Sequence, residues 1–239
     1  MENFDPDEKN HALERTKFQL RASGAKRESS NPLGTGIHDR GYLPHVKREG
    51  ASYFVTFRLA DSLPQEVLAK LEQAKAARLQ RLHAGKRRGI PVADSEADIA
   101  RDHHRSIERY LDRGMGACHL RNPEIARLVA NALTFFDLQR YVLDDWVVMP
   151  NHVHAIVWPM PNHLLGAILK SWKQFTSRRA KRFLGLDETF WQRESFDHWI
   201  RDDDEKVRIR RYIRNNPVLA GLCQRAEDWP WSSAYRPTT

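Results

Sequence analysis

Pro150-Asn151-His152-Val153-His154-Ala155-Ile156-Val157 decides how this chain is read. Pro150-Asn151 is turn chemistry. Apart from the two histidines, the residues after it are apolar or β-branched. His152 to Trp158 therefore reads as a strand, and Tyr141 to Met149 reads as another on the far side of the turn. Strand side chains alternate faces, so His152 and His154 share one face and Val153 enters the core on the other.

Upstream of the pair, Pro123 marks a helix start, and Ile125, Leu128, Val129, Ala132, Leu133 and Phe136 form its apolar stripe. Further back, Ser52 to Leu59 is dense in aromatic and β-branched residues and reads as the first strong strand. Pro64, Leu63, Val67, Leu68 and Leu71 predict a helix after it. Downstream, Pro159, Pro161 and Asn162 break the strand. Leu165, Ile168, Leu169, Trp172 and Phe175 then line a long helix whose outer face is basic. A short strand and a last helix follow. Asp202 to Glu205 stand at the N-terminus of that helix, and Arg208, Arg210, Arg211 and Arg214 stand towards its C-terminus, as the helix dipole favours. Pro217 should end it near Asn215–Asn216. The order is strand, helix, strand, strand, helix, strand, helix. It predicts an α+β fold, an antiparallel sheet with helices packed on one face.

The 239 residues hold 39 Lys+Arg and 31 Asp+Glu, a net charge of +8. Seven Trp, ten Phe and six Tyr exclude a fully disordered chain, and two Cys are too few for a disulfide scaffold. A reducing, cytoplasmic setting is expected. No apolar run approaches the ~18 residues of a membrane span, so no membrane partner is expected. Residues 1–40 balance seven acids against seven bases around a Ser/Asn/Pro/Gly run and read as a disordered arm. Residues 41–239 read as one domain with a basic helical insertion around 70–115. Residues 70–90 alone carry seven bases against Glu72. His103-His104 is expected to be exposed, with no third ligand nearby at a standard metal spacing.

Two imidazoles on one strand face can grip one metal ion but need a further ligand. Tyr212 and Asn216 lie one helical turn apart on the same face of the last helix, with Arg208 a turn earlier. If that face meets the histidines, the chemistry is coherent. Tyr212 is the nucleophile towards a phosphodiester, and His152, His154 and the Asn216 carbonyl hold a divalent cation, manganese or magnesium. Without that meeting, the histidines are polar residues on a solvated face and Tyr212 is a boundary tyrosine.

Pro150-Asn151-His152-Val153-His154 resembles the His-hydrophobic-His motif of the HUH endonucleases. Tyr212-Ile213-Arg214-Asn215-Asn216-Pro217 is similar to the tyrosine motif of single-tyrosine transposases, most closely the REP-associated group. Trp146 to Met149, Phe190 to Arg193, His198 to Arg201 and Trp229 to Ser233 fit as flanking motifs in the same order, over roughly residues 41–235. The resemblance implies a ferredoxin-like, HUH endonuclease-like fold. It implies metal-dependent cleavage and rejoining of single-stranded DNA beside hairpin-forming palindromic repeats, through a 5′-phosphotyrosine. It also implies Tyr212 as nucleophile and His152, His154 and Asn216 as ligands, in a monomer or homodimer associated with the nucleoid. Phe196 departs from the pattern, which has Tyr there.

Lys170, Lys173, Arg178, Arg193, Arg201, Arg208 and Arg211 are the candidate nucleic-acid contacts. A DNA-hairpin binder adopted by its host, with catalysis lost or secondary, is the alternative. An RNA-binding ferredoxin-like domain would want exposed aromatics on the central strands, but Tyr53 and Phe57 share a face that serves the core.

Overall fold

The computed structural model describes residues 36–39, 44–47, 50–91 and 93–237. Two short strands, β1 (Gly36–Asp39) and β2 (Pro44–Lys47), form an antiparallel hairpin. The arm expected at 1–40 otherwise lies outside the described residues. The main sheet contains β3 (Tyr53–Arg58), β4 (Tyr141–Val148), β5 (His152–Pro159) and β6 (Phe196–Trp199). Its order is β4-β5-β3-β6, antiparallel throughout. The helices α3 (Pro123–Thr134) and α4 (Leu165–Leu184) make the two crossovers, which completes the ferredoxin-like fold.

Alternation along the strands builds two different faces. Tyr53, Val55 and Phe57 of β3 join Val153, Ala155 and Val157 of β5 in the large core beneath α3 and α4. Phe54 and Ile156 point the other way. There they pack with Val147, Met149 and Ile213 of α5 (Asp203–Leu219). The crossover helices share one face as expected, but α5 covers the opposite one. Its stripe, Ile209 and Ile213, needs apolar cover that the crossover side no longer has room to give. Asp202 caps this helix by accepting from the Glu205 N–H at 2.7 Å. Pro217 does not stop it, and α5 runs on to Leu219 with Pro217 buried inside. The missing N–H falls in the last turn, and the Asn216 and Pro217 carbonyls are still taken by the N–H groups of Ala220 and Leu222.

The insertion is a helical hairpin, α1 (Gln65–Arg87) and α2 (Glu96–Leu111). Ser95 and Asp98 form a capping box at the start of α2. The two ends of the insertion meet. Leu59 N–H donates to the Asn151 carbonyl at 2.8 Å and Leu120 N–H to the Pro150 carbonyl at 3.1 Å, so both ends are tied to the turn before the histidines. Beside them Ala117 N–H donates to the Asp61 carboxylate at 2.7 Å. Gly116 sits there at φ +83, where a Cβ would lie 2.5 Å from the Asp61 carbonyl oxygen.

Candidate active site

The β3–β5 register pairs Thr56 with His154 and Arg58 with His152, so all four side chains project towards α2 and α5. Both imidazoles are fully buried. Asn151 turns its amide NH2 to the Met115 and Leu111 carbonyls at 2.9 and 3.3 Å. Its oxygen, 2.7 Å from His152 Nδ1, must then accept from that ring, which leaves the lone pair of His152 on Nε2. His154 Nδ1 lies 2.8 Å from Thr56 Oγ1, and its Nε2 lies 3.0 Å from His152 Nε2. Burial pushes His152 down to about 3, with His104 adding to it, and burial holds His154 well below its ordinary value. Both rings are neutral at physiological pH, the state in which imidazole ligates metals.

Tyr212 arrives on α5. Its hydroxyl stands 3.4 Å from His154 Nε2, and its ring is edge-on to His154 and to Phe54. Burial pushes the phenol far above its ordinary range, and the Glu108 and Asp112 carboxylates add to the effect. Asn216, one turn on, is buried, and its amide makes no hydrogen bond of good geometry among the described residues, although it lies against the Asp112 carboxyl and the Tyr212 phenol. A buried amide with poorly satisfied hydrogen bonds is costly and leaves capacity for a ligand. Two ligand atoms cis to each other at about 2.1 Å from an octahedral cation stand about 3.0 Å apart, the spacing of the two Nε2 atoms. The residues therefore fit a small divalent cation. Among the described residues, no three His, Cys, Asp or Glu side chains are grouped to hold one.

Two contributors are not apparent from the motifs. The first is α2. His103 and His104 are buried, not exposed, because α2 lies over the sheet face. His103 Nε2 is 3.1 Å from Glu72 of α1. His104 stacks flat on Phe196 with centroids 3.5 Å apart, and its Nε2 lies 2.9 Å from Glu108 Oε1. Its i,i+4 spacing to Glu108 is legible in sequence, but its target is not. The second is a bulge in β4, where register shifts between Leu143 and Trp146. Buried Asp145 there takes Arg210 Nε at 2.6 Å, Arg214 Nε at 2.9 Å and the Ser233 hydroxyl at 3.0 Å. Asp144 takes Lys206 at 2.7 Å. Arg210 and Arg214 thus anchor α5 to the sheet as well as complementing its dipole.

Of the expected phosphate contacts, Lys170, Arg178, Arg193, Arg201, Arg208 and Arg211 are exposed. Arg193 lines a cleft of about 580 Å³ between α1, α2 and the β3–β6 edge, with Arg58, His104 and Phe196. Lys173 is a correction. Its ammonium donates to the Gln192 and Arg193 carbonyls at 2.6 and 2.8 Å and to Ser195 Oγ at 3.2 Å, so it ties a loop down and is not free for a phosphate.

Residues 126–216, the span that holds both histidines, Tyr212 and Asn216, match the family described as IS200-like transposases. The chain is similar to curated REP-associated tyrosine transposases. It is 31% identical over 99 residues to the REP-associated tyrosine transposase of Escherichia coli K12, covering 40% of this chain and 56% of that one. It is 30% identical over 102 residues to a Haemophilus influenzae protein provisionally named the same way, covering 37% and 56%. The chain thus spans little more than half the length of these curated relatives. A solved REP-associated tyrosine transposase bound to a REP hairpin aligns over 83% of this chain and 82% of its own, at 17% identity and a TM-score of 0.44.

Proposed function

We propose that this chain cuts and rejoins single-stranded DNA beside a hairpin-forming repeat, with Tyr212 as nucleophile. What carries the reading is convergence within one chain: the Tyr212 hydroxyl, His154 and His152 follow one another at 3.4 and 3.0 Å. The phenolic oxygen attacks phosphorus, the bond to the 3′ oxygen breaks, and the 5′ phosphate stays on Tyr212. A 3′ hydroxyl reverses the step without an external energy source. His152, His154 and Asn216 would hold a magnesium or manganese ion, which when bound draws charge from the phosphate. Buried neutral imidazoles keep that position dry and positively receptive. α5, anchored at Asp145, keeps Tyr212 in line.

The test is a hairpin-bearing single strand incubated with the protein and manganese, read as a denaturation-resistant protein–DNA adduct. Wild type should form it. Chelation and Tyr212→Phe should each abolish it. Adduct undiminished in Tyr212→Phe would refute the nucleophile assignment, and hairpin binding without any adduct from wild type would favour a binding module.

A further inference from the structure

Arg58 has no part in the proposed reaction, yet its setting is unusual. It stands one strand step, about 7 Å, beyond Thr56, whose hydroxyl meets His154, and it is only 7% exposed. Among the described residues its guanidinium meets no carboxylate within ion-pair distance. Nη1 donates to Ser62 Oγ at 3.0 Å, and Ser62 in turn donates to the Leu59 carbonyl at 2.7 Å. Nε and Nη2 have no partner among the described residues, and Arg58 lines the cleft between α1, α2 and the β3–β6 edge. A buried cation without a counter-charge is costly unless a ligand completes it. We infer that this cleft takes one unpaired guanine of the DNA strand, read by Arg58 and Glu72; this rests on the proposed reading in taking single-stranded DNA as the substrate.

The cleft suits a base better than a phosphate. At about 580 Å³ it has the room of a small-ligand site. Glu72 and Glu194 line it, and two carboxylates repel a phosphate. Leu68 and Ile107 give it apolar walls, and Phe196, stacked on His104 at 3.5 Å, gives it an aromatic one, as a flat heterocycle prefers. The polar groups then select among the bases. Nε and Nη2 of Arg58 form a fork of two donors, which pairs with O6 and N7 of guanine. Glu72 comes from α1 with Oε1 held 3.1 Å from His103 Nε2, so Oε2 is left to accept from N1–H and the N2 amine of the same base. Adenine would set an amine against the fork and a bare N1 against the carboxylate. Cytosine and thymine lack the second ring that carries N7.

The cleft is continuous with the catalytic face. Thr56 lines it and holds His154 Nδ1 at 2.8 Å with the same hydroxyl. A guanine seated there brings its own backbone beside the histidines, so reading the base selects which phosphodiester Tyr212 meets. Glu72 is supplied by the inserted hairpin and Arg58 by the sheet. The insertion therefore adds selectivity to a frame that already carries the reacting groups.

The test selects hairpin-bearing single strands with randomised unpaired flanks by retention on the full chain, with no cleavage step. Wild type should enrich guanine at one flank position by about fivefold or more. Arg58→Gln and Glu72→Gln should each lose that enrichment at that position alone. On the selected strand, hypoxanthine, which lacks the N2 amine, should weaken wild-type binding about fivefold and leave Glu72→Gln unchanged. The analogue 7-deazaguanine, which lacks N7, should weaken wild type similarly and leave Arg58→Gln unchanged. These analogues probe the wild-type chain itself, so they decide the matter even where a variant fails to fold. No guanine preference in wild type overturns the inference, as does equal binding of both analogues, and the cleavage reading then stands or falls on adduct formation alone. Guanine enrichment without any adduct from wild type overturns the cleavage reaction and leaves the cleft its ligand. A wild type that retains no strand overturns both.

Discussion

Lys173 shows how little a helical wheel says about one side chain. Spacing puts it on the basic outer face of α4, yet its ammonium is half-buried against three oxygens. Burial pulls it down to about 8 from 10.5. Between those two values the unfolded chain keeps a proton that the folded chain has released, so this group's contribution to stability rises with pH across that window. The stability gap between wild type and Lys173→Met should therefore move in favour of wild type by about 1–2 kcal/mol from pH 8 to 10, measured by urea unfolding at fixed ionic strength. A gap that stays flat would mean that Lys173 keeps its proton. The residues legible in sequence were those whose partners lie within one period. His152 and His154 are two apart on a strand, and Tyr212 and Asn216 four apart on a helix. Glu108 was not legible. Its partners His154 and Tyr212 are 46 and 104 residues away, and no local pattern marks a contact of that kind.

Among the elements, α5 deserves its position to charge as much as to apolar packing. Four ion pairs from Lys206, Arg210 and Arg214 reach the Asp144-Asp145 bulge. Asp145 is 3% exposed, so its loss leaves Arg214 without this acceptor, Arg210 with only the longer contact to Asp144 and Ser233 with only the Trp146 carbonyl. Asp145→Ala should cost about 1–3 kcal/mol, because the arginines can still reach water. Thermal melting should show a midpoint lowered by several degrees, hydrogen exchange should show faster exchange along α5, and adduct formation should fall with the histidines intact. An unchanged midpoint would show that Ile209 and Ile213 hold the helix unaided. The acid pair was a visible interruption in the apolar run Tyr141 to Met149, and it is the one sequence signal that marked the bulge. Pro217 misled in the opposite direction, since a proline in a final turn forfeits a single hydrogen bond and leaves the helix intact.

At the scale of the whole molecule, the strand order and the two crossovers were readable because each element has its own period and its own breakers. The placement of α5 was not, because an apolar stripe says that a helix packs without saying on which face. The net charge of +8 predicts hairpin binding that weakens with salt. Replacing exposed Arg178 or Arg208 by Ala should reduce the slope of log affinity against log salt by about 0.7–0.9 where that side chain meets a phosphate. Lys173→Met should leave the slope alone. Filter binding across a salt series checks both, and a slope that falls for Lys173→Met alone would contradict the assignment of these side chains. Among the described residues no helix is long and apolar enough to cross a membrane. The closure at Asp61 and Gly116 has one more consequence. A segment that leaves and rejoins the chain at the same turn can vary at its far tip without moving the two points where it joins the sheet. The histidines and the tyrosine belong to the frame, whereas His104 and Glu108 arrive on the inserted hairpin. Changes at the tip of that hairpin should therefore leave the closing turn, and with it the two histidines, in place.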